Sequence, residues 1–120
     1  GPSLITIRYS SENLTGMSHN FLMKVNGSQL LQSNRTGPLK SSSNLSVTVG
    51  GTGDGGGLWT GRISEILIFN KDLGRENIEK LEGYLAHKWG LAENLPTEHV
   101  YKDMAPYMNY TIKGNRTNLF

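Results

Sequence analysis

Apolar and polar residues alternate along the start of the chain with the two-residue period of a β-strand. Within residues 3–10, the side chains of Ile5, Ile7 and Tyr9 share one face, and Thr6 lies on the other. The β-branched and aromatic residues of this stretch also favour extended backbone. We therefore predict a strand here, with the Ile5 face as its mainly apolar, inner face.

The same period predicts four further strands. Residues 21–25 and 29–32 flank an Asn-Gly pair, which is a strong short-range signal for a hairpin turn. Residues 44–51 alternate again, with their apolar side chains on one face. Residues 62–70 form the longest run, and its second half is apolar on both faces, which indicates a strand inside a layered structure.

One later segment repeats its apolar residues with the period of an α-helix. The predicted helix covers residues 75–89, starts near Asp72 or Gly74, and ends at Gly90, a residue suited to a left-handed C-terminal cap. Its other side, which includes Glu82, is expected to face water. The apolar stripe consists of Ile78, Leu81, Leu85 and Trp89.

Composition is consistent with one folded domain. Of the 120 residues, 36% are hydrophobic and 18% charged, and no stretch provides the roughly 20 apolar residues that span a bilayer. The net charge of +2 comes from scattered lysines and arginines rather than the basic run of a nucleic-acid groove. Because cysteine is absent, a disulfide framework and a cysteine nucleophile are excluded.

Six Asn-X-Ser/Thr triplets indicate N-glycosylation, and therefore an extracellular or surface location. With 11 Asn and 20 Ser or Thr in 120 residues, chance alone would give about two such triplets. The alternative is a loop composition that is simply rich in Asn, Ser and Thr. The triplets begin at Asn13, Asn26, Asn34, Asn44, Asn109 and Asn115.

The C-terminal half resembles a known family. The stretch WTGRISEILIFNKDLGRENIEKLEGYLAHKWGL, followed by NLPTEHVYKDMAP, resembles the end of concanavalin A-like lectin/glucanase domains of the laminin-G-like type. The likeness is strong over residues 58–106, and the upstream LITIRYS and FLMKVNGSQL resemble the family's middle strands. The matching positions are Gly61, residues 65–69, 82–86 and 88–91, Leu95, Pro96, His99, Tyr101, Lys102, Ala105 and Pro106.

The resemblance implies a mainly β fold, a partial jelly-roll sandwich with one C-terminal amphipathic helix, over residues 1–106. The family domain is normally larger, so its N-terminal strands are expected to be missing, and Gly74 replaces the usual Ser or Thr helix cap. A half sandwich leaves a sheet edge unpaired. We therefore expect another chain, or a second copy, to complete the fold. Residues 107–120 form a C-terminal extension that could add a strand to a neighbour.

The patterns that catalysis needs are not found in this sequence. Hydrolases of this fold carry carboxylates at alternate positions of one strand, but Glu65 has Ile63 and Leu67 two residues away on either side. A structural role for Glu65 is the better interpretation. The histidines lack metal-ligand spacing, and His87 and His99 are expected to pack or hydrogen-bond. We therefore predict that the protein is not an enzyme.

Glycan binding needs exposed aromatic side chains with polar partners. The candidates are Trp59, Asp54 in the neighbouring glycine-rich loop, and Tyr9 or Tyr107, with core packing as the alternative for Trp59. Asp54 is also a candidate Ca²⁺ ligand, because hard cations prefer oxygen ligands, although such a residue is usually part of a turn. The Ca²⁺ set would be loop carbonyls with Asp54 and Asn70 or Asp72.

Two functions are consistent with these features. The first is a non-enzymatic extracellular structural or assembly component of a surface structure, such as a virion, fibre or filament. The second is a carbohydrate-binding adhesion module with a glycan ligand. The number of Asn-X-Ser/Thr triplets and the expected unpaired sheet edge favour the first function. The usual function of the resembled family favours the second. Apart from Ca²⁺, no cofactor is expected, and neither nucleic acid nor a membrane span is expected.

Overall fold

The protein, in a computed structural model, combines a three-stranded antiparallel sheet with one long helix. The structure describes residues 1–14, 17–34, 48–52 and 54–107, and the backbone of residues 111–113 and 116–118. The sheet has the spatial order β1 (Ile5–Tyr9), β2 (Phe21–Val25) and β3 (Ser28–Ser33). The remaining elements are helix α1 (Gly74–Lys88), a 3₁₀-helix (Ala92–Asn94), and a two-stranded sheet of β4 (Thr111–Lys113) and β5 (Arg116–Asn118).

The hairpin between β2 and β3 turns at Asn26 and Gly27, as the Asn-Gly pair predicts. Both residues have positive φ, 51° and 78°, which a tight turn of this kind requires. The turn lies against the C-terminal segment, because a Cβ at Gly27 would be 3.1 Å from side-chain atoms of Leu95, Pro96 and His99. The first three predicted strands are confirmed, and the hairpin contacts the part of the chain that follows α1.

The predicted strand at residues 62–70 is wrong. These residues have no regular secondary structure, and their apolar side chains are largely exposed, with Ile68 at 73%. A strand is stable only where a neighbour accepts its backbone hydrogen bonds, and no described strand is paired with this segment. The predicted strand at residues 44–51 lies mostly outside the described residues, and its last part, residues 48–51, is not a strand.

Helix α1 agrees with its prediction to within one residue at each end. It begins after Leu73, without a side-chain cap, and Gly90 follows it with a φ of 72°. The Leu91 N–H donates to the Ala86 carbonyl at 2.6 Å, the six-to-one bond of a Schellman motif. This cap turns the chain so that Leu91 is buried with Ala86 and Leu95 in the small apolar core.

Helix α1 packs on the opposite face of β1 from the one predicted. Thr6 and Arg8 face the helix, and Arg8 is 6% exposed, whereas Ile5 and Ile7 are 54% and 60% exposed. The prediction of an apolar inner face is therefore wrong. The polar face is buried because α1 presents a carboxylate, Glu82, to which the Thr6 hydroxyl donates.

The buried side of α1 differs from the predicted apolar stripe. Glu82 and Ala86 are 2% and 0% exposed, so the expectation that Glu82 faces water is wrong. Leu81 is buried and Leu85 half-buried, but Trp89 is 45% exposed and does not pack into the core. The fold is thus a small three-stranded sheet with one helix, and the second sheet of a sandwich stays a prediction.

Candidate functional site

A buried polar cluster centred on Glu82 joins α1 to the sheet. Glu82 Oε2 accepts a hydrogen bond from the Thr6 hydroxyl at 2.8 Å, and Oε1 accepts one from the Lys24 ammonium at 2.8 Å. Thr6 and Lys24 are directly opposite each other on β1 and β2, so the strand register brings both to one carboxylate. The third partner is His99, whose Nε2 lies 3.3 Å from Oε1. We call these four residues the Glu82 cluster.

Two histidines attach the C-terminal segment to this region. His99 Nδ1 accepts the Tyr101 backbone N–H at 3.1 Å, so the ring hydrogen is on Nε2 and is donated to Glu82. His87 Nε2 donates to the Tyr101 carbonyl at 2.7 Å. The predicted hydrogen-bonding role of both histidines is confirmed.

A second buried ion pair joins β1 to the residues that precede α1. Arg8 Nε and Nη2 donate to the two carboxylate oxygens of Asp72 at 2.8 and 3.0 Å, a bidentate geometry. Their side chains are 5% and 12% exposed. Because the buried charges here are paired with each other, as they are in the Glu82 cluster, the arrangement holds the helix on the sheet.

The sheet face that points away from α1 is apolar and open to solvent. The register places Ile7 opposite Met23 and Met23 opposite Leu31 on this same face. Ile5, Ile7 and Leu31 are 54%, 60% and 43% exposed, and an exposed apolar patch of this kind commonly marks an interaction surface. We call it the outer face, with the members Ile5, Ile7, Met23, Val25 and Leu31.

An apolar groove runs beside the free edge of the sheet. Its walls are β1 with residue Leu4 and the segment of residues 67–73, and its volume is about 520 Å³. We call it the β1 groove. Its α1 side is formed by the apolar stripe residues Ile78, Leu81 and Leu85. Part of the predicted stripe therefore lines an open groove instead of a closed core.

Glu65 connects the unpaired segment to the end of α1, in agreement with its predicted structural role. Its Oε1 lies 2.9 Å from the Lys88 ammonium, and the Trp89 indole N–H donates to it at 2.9 Å. These hydrogen bonds lower the pKa of the Glu65 carboxyl below its ordinary value, and the bond from Lys88 has the largest effect. Trp89 thus contributes a polar contact at the surface.

The candidate glycan-binding residues do not share one site. Trp59 is 60% exposed, which rules out the core-packing alternative, and its Nε1 lies 3.0 Å from where a Cβ on Gly61 would be. Asp54 accepts hydrogen bonds from the Thr52 hydroxyl and the Gly56 N–H. Both bonds lower the pKa of the Asp54 carboxyl, and the bond from Thr52 has the larger effect. Tyr9 instead lines the β1 groove, of which neither Trp59 nor Asp54 is part.

The metal hypothesis finds no support in the described ranges. Nowhere in them do three or more His, Asp or Glu side chains gather in a way that could hold a metal ion. Asp72, a possible partner of Asp54, is paired with Arg8. Ca²⁺ binding stays a prediction. In the same ranges, no helix combines the length and the apolar character that crossing a bilayer demands.

The glycosylation triplets occupy different environments. Asn13 and Asn34 are exposed. Asn26 lies in the hairpin turn, where its Oδ1 accepts the Leu4 N–H at 2.9 Å. The other three, at Asn44, Asn109 and Asn115, lie outside the described residues. Glycosylation stays a prediction at all six.

Comparisons with protein families, with curated proteins and with solved structures found no match to this chain.

Sequence reasoning missed the Glu82 cluster altogether. Thr6 and Lys24 were available as polar positions inside two predicted strands. A positive side chain within a strand indicates a carboxylate nearby, because an unpaired buried charge is costly. That signal could have assigned Glu82 to the buried side of the helix.

Proposed function

We propose that this protein is a non-enzymatic structural or assembly component of an extracellular surface structure, built on a concanavalin A-like sandwich. A single observation carries the proposal: the outer face is apolar and exposed while the polar face is buried. An antiparallel sheet gains its stability by covering its apolar face. Another polypeptide that covers the outer face would supply the missing layer of the sandwich and make this protein one part of an assembly.

Site-specific photocrosslinking in the natural assembly tests this proposal. A photoreactive residue replaces Ile7 or, separately, Leu31 on the outer face, and mass spectrometry identifies the crosslinked segment. Both positions should crosslink to the same segment of another polypeptide chain. The matched control is Val100, which is apolar and 68% exposed but lies after α1 and is not part of the outer face, and it should give no such product. The absence of crosslinks from Ile7 and Leu31 would overturn the proposal.

A second candidate function, carbohydrate binding, is favoured by one observation. Trp59 presents an indole ring that is 60% exposed next to Gly61, and exposed aromatic rings stack on sugar faces. A glycan array probed with the purified chain tests it. Binding should disappear in Trp59→Ala and persist in Trp89→Ala, a control with a tryptophan that is 45% exposed. Binding that survives Trp59→Ala would contradict this candidate.

A further inference from the structure

The backbone of β1 has unused hydrogen-bonding groups on the side of the groove. The Asn26 N–H donates to the Leu4 carbonyl at 2.7 Å, and the Ser10 N–H donates to the Asn20 carbonyl at 3.1 Å. In an antiparallel pair, hydrogen-bonded positions alternate, so the even-numbered residues of β1 bond to β2. The N–H and C=O groups of Ile5 and Ile7 therefore point away from β2, where the described residues give them no partner.

Part of the opposite wall of the β1 groove is also without backbone pairing. Leu67 and Ile68, which lie in this wall, make no backbone hydrogen bond within the described part of the chain. The space between the two walls is about 520 Å³, within the range of about 300–1,000 Å³ that is common for ligand sites. Leu81 and Leu85 give it an apolar side. An occupant that offers both backbone hydrogen bonds and apolar side chains fits this groove better than a lipid or a helix does.

Charge further limits the occupant. Arg8 and Asp72 both line the groove but bond to each other, and Glu82 bonds to Lys24. A charged side chain brought deep into the groove would therefore have no free counter-charge, which is unfavourable at an apolar site. Lys71, at one end, is exposed to water. The middle of the occupant is thus expected to be uncharged.

The size of the groove favours one strand over a second folded copy. Burying a large apolar side chain removes on the order of 100 Å² from water. The half-exposed apolar residues of the groove therefore offer a few hundred Å² at most, whereas a standard protein interface needs roughly 800 Å² from each partner. A single extended segment needs no more area than this, because its backbone hydrogen bonds add to the apolar contact.

We propose that the β1 groove binds an extended strand from another polypeptide, with uncharged apolar side chains at alternate positions. The strand pairs its backbone with Ile5 and Ile7, and its apolar side chains contact Leu81 and Leu85. This inference rests on the proposed function and specifies how one partner is held. The β1 groove shares Ile5 and Ile7 with the outer face but does not include Leu31, so contacts at Leu31 distinguish the two.

Titration with synthetic peptides tests the proposal on the full chain. The probes are end-blocked seven-residue peptides in which Val or Leu alternates with Thr, labelled for fluorescence anisotropy. We expect saturable binding that weakens at least tenfold when alternate peptide nitrogens are methylated, or when the central apolar residue is replaced by lysine. Amide hydrogen exchange of Ile5 and Ile7 should slow on saturation, while the amides of Thr6 and Arg8, already bonded to β2, should not change.

Two chain variants separate groove binding from other modes. Leu85→Lys should weaken the neutral peptides at least tenfold, and Val100→Lys should leave them unchanged. Equal binding of methylated and unmethylated peptides would overturn strand pairing in favour of a simple apolar ligand site. A dimer of the chain that competes with the peptide would overturn it in favour of a second copy. If no peptide binds while the Leu31 crosslink is obtained, this inference fails and the proposed function stands.

Discussion

The two faces of the three-stranded sheet are used in opposite ways. The face toward α1 carries Arg8 and Lys24, which are paired with acidic partners and have side chains only 5% and 14% exposed. The outer face carries Ile5 and Ile7, which are 54% and 60% exposed. Paired charges therefore specify how the helix packs on the sheet, and the apolar face stays available for another layer. In this sheet, charged side chains are buried and apolar side chains are exposed.

Loss of the Glu82 charge should produce the largest decrease in the free energy of unfolding. Its size would show how far the packing of the inner face depends on ion pairing. In Glu82→Gln, the Lys24 ammonium keeps its charge without a partner, and removing one side of a buried pair costs roughly 3 to 5 kcal/mol. Urea unfolding followed by circular dichroism measures the loss. The control is Glu79→Gln, which removes a pair with the largely exposed Arg75 and should matter far less. Equal losses would mean that the Glu82 cluster is no stronger than a surface pair.

A pair of alanine variants compares the two faces directly. Leu22 is 6% exposed and lies opposite Arg8 on the inner face, so Leu22→Ala should cost about 2 to 5 kcal/mol. Ile7→Ala removes a side chain that is 60% exposed, and should change the unfolding free energy of the isolated chain by no more than about 0.5 kcal/mol. A larger loss for Ile7→Ala would reverse the assignment of the two faces.

The close approach between α1 and the C-terminal segment should show an intermediate effect. A Cβ at Gly83 would lie 2.5 Å from Tyr101 Cβ, so Gly83→Ala should lower stability by about 1 to 3 kcal/mol. Thermal unfolding measures this. In the double variant with Tyr101→Gly, the overlapping Cβ of residue 101 is absent, so the combined loss of stability should be smaller than the sum of the two single losses. Stabilisation by Gly83→Ala alone would contradict the packing.

The smallest expected effect is the pH dependence of the surface contact at Glu65. Its pKa is lowered in the folded chain by the hydrogen bonds from Lys88 and Trp89. Its contribution is therefore complete above the ordinary glutamate pKa of about 4.3 and is lost as the pH falls through the folded value. The Trp89 indole N–H resonance in NMR should report this titration, and Glu65→Gln should abolish it. A resonance that titrates unchanged in Glu65→Gln would exclude this contact.

Local patterns predicted the local elements well. The Asn26-Gly27 pair set the hairpin, and Gly90 set the end of α1, because both positions need the left-handed backbone that these residues adopt easily. Each of these signals acts over only a few neighbouring residues. The first three strands and the bounds of the helix were therefore predictable without knowledge of the tertiary structure.

Faces and partners were harder to predict because they depend on residues far apart in sequence. The period of two residues separates Ile5 from Thr6 but does not say which side the helix covers. That choice follows from Glu82, 76 residues after Thr6. The grouping of the candidate glycan-binding residues was not predictable for the same reason. Trp59, Asp54 and Tyr9 were selected by residue type, and their relative positions were not available from the sequence.

The position of Glu82 also has a consequence for the order of folding. Its bonds to Thr6 and Lys24 span 76 and 58 residues, and contacts this distant in sequence slow folding because a long loop must close before they form. During synthesis, β1 to β3 emerge well before α1 does, and until then Lys24 and the outer face are both open to solvent. During this period the sheet therefore has its apolar face exposed and lacks the helix that pairs with its polar face.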